Sequence, residues 1–167
     1  MSGWGEIGKN WYFLSEQEQI KTAQKYLDGG GDVNATNNDG ITLLMDAAGN
    51  GRLDLARLLL SNDADLEAKK TDSGATALLC AAWNEEFLSA KFLIEAGANV
   101  NAVSDLGMTA LMIFAWQGDP DAVNYLIEAG ADINAQDRDG ETAADHAREG
   151  GNPEIAALLE KVASRLK

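Results

Sequence analysis

Residues able to act on a substrate are few and scattered in this chain of 167 residues. Its one histidine, His146, and its one cysteine, Cys80, stand more than sixty positions apart, whereas general base catalysis or an activated nucleophile needs the base held beside an orienting partner. His146 reads as a partly buried structural histidine. Cys80, next to Ala81 and Ala82 in a helical core segment, reads as a small buried hydrophobe. No Cys/His cluster has zinc spacing and no glycine-rich strand-to-helix loop is present to cradle a phosphate, so neither metal nor cofactor is expected. Gly29-Gly30-Gly31 reads as a helix end. Asp137-Arg138-Asp139-Gly140-Glu141 has the carboxylate density of a calcium loop but lacks the bidentate glutamate at the required distance, and a hairpin turn is expected there instead. Asn34-Ala35-Thr36 fits the N-glycosylation pattern, which matters only in a secreted eukaryotic protein.

The elements that position these residues are set by an internal repeat. Gly40-Ile41-Thr42-Leu43-Leu44 matches Gly74-Ala75-Thr76-Ala77-Leu78, Gly107-Met108-Thr109-Ala110-Leu111 and Gly140-Glu141-Thr142-Ala143-Ala144, with the glycines 34, 33 and 33 apart. A second phrase recurs in the same frame: Gly31-Asp32-Val33-Asn34-Ala35, Ala64-Asp65-Leu66-Glu67-Ala68, Ala98-Asn99-Val100-Asn101-Ala102 and Ala131-Asp132-Ile133-Asn134-Ala135. Two phrases in one register mark a repeat architecture. Between them, apolar residues return at three- and four-residue spacing, as in Asp54–Leu60 and Ala90–Ile94, so each repeat holds two short helices and a turn. Asp119 before Pro120 and Asn152 before Pro153 read as capping side chains ahead of a first-turn proline. Gly97 and Gly130 stand where the second helix stops and reverses, and Asp63 replaces that glycine in the first full repeat.

These phrases resemble the ankyrin repeat, which reads Asp-x-x-Gly-x-Thr-Pro-Leu-His, then Ala-Ala, then a Leu-Leu helix and Gly-Ala-Asp-Val-Asn-Ala. The resemblance covers residues 15 to 167 and includes Ala47-Ala48 and Ala81-Ala82, small residues that let paired helices approach closely. It departs at the family's proline, here Leu43, Ala77, Ala110 and Ala143, and at its histidine, here Met45, Leu79, Met112 and Asp145. Those departures bear on stability. An extra residue near Lys69-Lys70-Thr71 is expected to lengthen one inter-repeat hairpin. The resemblance implies an all-α solenoid of helix-turn-helix units joined by short β-hairpin loops. Its parts are an N-terminal aromatic extension (1–14), a capping half-repeat (15–36), repeats at 37–70, 71–103 and 104–136, and a C-terminal capping repeat (137–167). Ser15 with Glu18 reads as a capping box opening the first cap helix, and Glu160, Lys161, Arg165 and Lys167 give the far end a polar close. Trp4, Trp11, Tyr12 and Phe13 either fold back over the first cap or form an arm that grips a partner.

In this family the inner, concave surface is formed by hairpin tips and the exposed side of the first helices. Trp83 and Trp116 occupy equivalent positions there, followed by Asn84 and Gln117. Ile41, Ala75, Met108 and Glu141 form a parallel row, with Asp39, Asp72, Ser73, Asp105, Leu106, Arg138 and Asp139 beside it. Exposed tryptophans concentrate binding energy, although the two rings packing on each other and on neighbouring helices is the alternative.

Charge narrows the partner. Asp plus Glu number 27 against 13 Lys plus Arg, for a net charge of −14, which repels phosphate backbones and anionic lipid and so disfavours nucleic acid and membrane. The same charge attracts a basic protein surface or serves solubility alone. No secretory signal is visible in Met1–Gly8, and a single cysteine suits the reducing cytoplasm. The expectation is therefore a cytoplasmic protein, monomeric when free, that binds a protein partner as adaptor, inhibitor or scaffold. A small immunity- or antitoxin-like inhibitor of a basic enzyme is the more specific form. A purely architectural module and an unrecognised enzyme are the alternatives.

Overall fold

The computed structural model describes Trp4 and residues 11–165. Residues 1–3, 5–10 and 166–167 lie outside the described residues, and with them most of the aromatic extension, all of the Met1–Gly8 segment but Trp4, and Lys167. After a 3-10 turn over Trp11–Phe13 come α1 (Glu16–Asp28), α2 (Leu43–Gly49), α3 (Leu53–Leu60), α4 (Ala77–Trp83), α5 (Phe87–Glu95), α6 (Ala110–Gln117), α7 (Pro120–Glu128), α8 (Ala143–Glu149) and α9 (Pro153–Ala163). The short helices α2, α4, α6 and α8 stack in an inner layer, and each pairs with the helix that follows it in an outer layer. No strand forms among the described residues; the hairpin loops contribute one isolated antiparallel bridge, Thr36 with Thr42.

Each inner helix starts at the threonine of the first phrase. Thr42, Thr76, Thr109 and Thr142 have extended backbone, and each hydroxyl accepts the N–H three residues on. In three of the four the bond is returned. Asp145 Oδ2 accepts the Thr142 N–H at 2.9 Å, while the sulfurs of Met45 and Met112 accept those of Thr42 and Thr109 at 3.5 and 3.4 Å. These residues stand where the family has histidine, so a capping box replaces the missing histidine bond at three starts; Leu79 offers nothing to Thr76.

The second phrase ties repeat to repeat. Asn34 Oδ1 accepts the Asp65 N–H, Glu67 Oε1 that of Asn99 and Asn101 Oδ1 that of Asp132, each at 2.8 Å. The recurring Asn or Glu is thus a backbone acceptor for its neighbour, and the Asn34 side chain is engaged in this ladder. The hairpins share a register in which the first residue donates to the carbonyl four residues on: Asn37 to Ile41, Ser104 to Met108, Asp137 to Glu141. In the lengthened one Lys70 donates to Ala75, five residues on. The extra residue is therefore held within that turn.

At the two ends, the capping box of Ser15 and Glu18 opens α1 as expected. Trp4 and Trp11 are buried, their rings 5.7 Å apart between centroids. Trp4 Nε1 donates to the Ile41 carbonyl, Trp11 Nε1 to Asp46 Oδ2 at 2.8 Å, and the Trp11 carbonyl accepts from Gln19 of α1 at 2.8 Å. The two indoles thus cover α2, where a full repeat would place its own inner helix. Tyr12 and Phe13 differ: they are 59% and 88% exposed. At the other end Arg148 of α8 pairs with Asp145 and with Glu160 of α9.

Asn152 corrects the expected caps. Asp119 caps α7 through the N–H groups of Asp121 and Ala122, both at 3.0 Å, but the Asn152 amide makes no cap bond to α9. It donates instead to the carbonyls of Ala115 and Trp116 at 3.1 and 2.8 Å, satisfying the end of α6 in the preceding repeat. A helix C-terminus left with free carbonyls competes well for an amide donor.

Among the described residues two that are not glycine have left-handed backbone: Asp63 at φ 61° and Glu85 at φ 62°. Their counterparts one repeat on are Gly97 and Gly118, at φ 103° and 84°. An L side chain costs about 1–2 kcal/mol in this region, less for Asp, whose short polar side chain bonds locally. Glu85→Gly is accordingly expected to raise stability by about 0.5–1 kcal/mol after the added chain entropy of glycine, and Asp63→Gly by less. Denaturation midpoints at unchanged m-value check this; a lower midpoint for Glu85→Gly would show that its native contacts outweigh the strain.

Candidate functional site

The side chains that reach the concave face leave the inner helices at two positions of the repeat. Four residues after the capping threonine come Asp46, Cys80, Ile113 and His146; three further on come Gly49, Trp83, Trp116 and Glu149. Helical geometry puts positions three or four apart on one side, so these form two adjacent rows. Trp83 and Trp116 are each 48% exposed. Where their row reaches Gly49 there is no side chain, and a groove of about 740 Å3 opens between α2, α4 and the first hairpins. A second, smaller cleft of about 220 Å3 lies between the two tryptophans, lined also by Met108, Ile113, His146 and Glu149.

The charged groups of this face are held in different ways. Asp46 is buried and accepts from Trp11 and from Arg52 at 3.3 Å. Burial pushes its carboxyl above the usual range, with the Trp11 bond and the Arg52 charge opposing. Cys80 is half-buried, packed against the core as expected and also lining the groove; burial pushes its thiol up to about 11, so at neutral pH almost none is the nucleophilic thiolate.

His146 is buried, and its Nε2 lies 2.8 Å from Asp137 Oδ2. Burial opposes ionisation of Asp137, but the backbone N–H of Glu141, the His146 ring and the N–H of Asp139 hold its carboxyl below the usual range. The segment from Asp137 to Glu141 is the expected hairpin turn. Asp137, Glu141 and His146 bring ligand atoms within 4.8 Å of one another across that hairpin and α8, which linear spacing does not reveal. The Glu149 charge, followed by burial, raises the Glu141 carboxyl.

The comparisons with known proteins agree with this architecture. The model of ankyrin repeats (3 copies) matches residues 12–104, and that of ankyrin repeats (many copies) matches 93–147. The chain belongs to the ankyrin-repeat family. Ankyrin repeat and SAM domain-containing protein 6 of Mus musculus is 40% identical over 68 residues, and its counterpart in Rattus norvegicus is equally similar. The match covers 41% of this chain and 8% of each relative. Ankyrin repeats generally bind other proteins, and no described helix is long and apolar enough to cross a membrane.

Within the ankyrin stack, the residues singled out from register fall into three groups. Ile41, Asp72, Ser73, Ala75, Trp83, Asn84, Asp105, Leu106 and Arg138 line the groove, although Ala75 is only 5% exposed and contributes floor rather than contact surface. Met108 and Trp116 line the cleft. Asp39, Asp139 and Glu141 line neither. Gln117 is half-buried, its amide donating to the Ala82 carbonyl at 2.8 Å, which joins α6 to α4 in the way Asn152 joins α9 to α6. Register from the tryptophans alone leaves out Met45, Asp46, Asn50, Lys70, Cys80 and Ser104 of the groove. Counting four residues on from each capping threonine would have found Asp46 and Cys80.

Proposed function

We propose that this ankyrin stack binds one protein partner along its concave face, as an adaptor, inhibitor or scaffold, and that the partner offers a basic surface. The observation that carries this reading is the pair Trp83 and Trp116, each nearly half exposed on either side of one cleft, with Trp83 also bordering the groove left open by Gly49. Large apolar side chains exposed together mark interaction sites. An architectural module would have its aromatic extension over this strip; Trp4 and Trp11 instead pack at α2 and line neither groove nor cleft. A small acidic inhibitor that covers a basic enzyme is the narrower form, supported by the net charge of −14. A monomer when free and a reducing, cytoplasmic setting for Cys80 belong to the same proposal.

Ionic strength tests the basic partner. With the partner captured at low salt, association is expected to slow about 10-fold or more as salt rises, because steering between exposed charges is screened over about 10 Å at 0.1 M. Dissociation changes less, since it is governed by short-range contacts. A flat association rate across that range would leave Asp39, Asp72, Asp105 and Asp139 with a role in solubility alone.

A further inference from the structure

We propose that the cleft between Trp83 and Trp116 receives one arginine side chain of the partner, its guanidinium held by the indoles and by the Glu149 carboxylate. This rests on the concave-face reading and names the group that the face recognises. The cleft combines two indoles, an apolar floor from Met108 and Ile113, and an acidic edge at Glu149. An apolar stem ending in a planar cation matches all three: guanidinium stacks on aromatic faces, pairs with a carboxylate through two parallel N–H donors, and is more weakly hydrated than ammonium.

Charge complementarity points the same way. No lysine or arginine is among the residues lining the cleft, and Arg148 of the same helix is engaged by Asp145 and Glu160. Glu149 Oε2 lies 3.9 Å from His146 Nδ1, while the other ring nitrogen meets Asp137. Glu141 stands close enough for the Glu149 charge to raise its carboxyl. A cation entering beside Glu149 relieves that repulsion. At about 220 Å3 the cleft has room for a side chain and not for a helix, so the rest of the partner must rest on the groove and hairpin tips.

The test is a titration of the intact chain, with its tryptophan indole N–H groups 15N-labelled, with the acetylated and amidated peptide Gly-Gly-Arg-Gly-Gly. Matched peptides carry lysine or citrulline at the centre. The arginine peptide is expected to shift the Trp83 and Trp116 signals and leave those of the buried Trp4 and Trp11 in place. Citrulline, of the same shape without charge, binds about 10-fold more weakly or worse, a difference of about 1.4 kcal/mol. Glu149→Gln, at an exposed position, weakens the arginine peptide by a similar factor. No shift with arginine, an equal response to citrulline, a stronger response to lysine, or indifference to Glu149→Gln would each overturn the proposal. If the peptides fail while Trp83→Ala still weakens capture of the partner, only the arginine assignment falls; if that variant binds the partner unchanged, the concave-face reading falls too.

Discussion

Leu59→Ala and Leu93→Ala are each expected to cost about 2–5 kcal/mol and to loosen the coupling between the repeats on either side. Both leucines are fully buried at matching places in α3 and α5, so truncation removes apolar surface and leaves a cavity whose walls are other repeats. Leu59 belongs to the same buried cluster as Leu55 and Ala56 of α3 and Leu44 and Ala48 of α2, the helix against which α3 packs. The inner helices are too short to close such a hole by bending. At about 2–4 °C per kcal/mol for a chain of this size, each variant melts roughly 4–20 °C below the parent. Because repeats contact only their neighbours, lost coupling also broadens or splits the transition. Cation–π contacts between outer helices, Arg57 over Phe92 and Lys91 over Tyr125, are too weak to compensate. Thermal melts decide: both variants within a degree or two of the parent would place the core stripe elsewhere.

The repeat frame, the helix pairs and the αL stop at Asp63 were legible because each depends on residues a few positions apart in one register. Glu85 was not, since nothing in its neighbourhood resembles a stop until Gly51, Gly118 and Gly151 are aligned with it. The concave face was legible only in part. The segment Ala110–Gln117 is apolar on every side and α2 is buried over six of its positions, so no alternation of apolar and polar residues marks which side faces the groove. That is why the sequence does not show that Asp46 and Cys80 line the groove. The bond made by Asn152 differs from the expected cap for another reason. An amide ahead of a helix has two outlets, its own first turn or a carbonyl of the next repeat, and only the stacking distance selects between them. The grouping of Asp137, Glu141 and His146 depends likewise on how a hairpin folds against α8.

Replacing Trp83 and Trp116 together with alanine is expected to weaken partner binding by about 2 kcal/mol or more, roughly 30-fold in Kd, while the stack still melts cooperatively. Tryptophan side chains near the centre of an interface contribute large area at low entropic cost; both of these line the cleft, and Trp83 borders the groove as well. Each residue keeps about half its surface in solvent, so that burial remains to be gained from a partner. The packed half predicts some loss of stability as well, which is why the melt must accompany the binding measurement. Trp11→Ala serves as the contrast. That ring is buried and its N–H is bonded to Asp46, so its removal is expected to act on stability first and leave a carboxylate short of a donor in a site that already disfavours its charge. If the double variant keeps full affinity, the tryptophans are packing residues and the partner binds elsewhere. If it unfolds as Trp11→Ala does, the indoles support the stack; the binding reading requires affinity to fall by much more than stability.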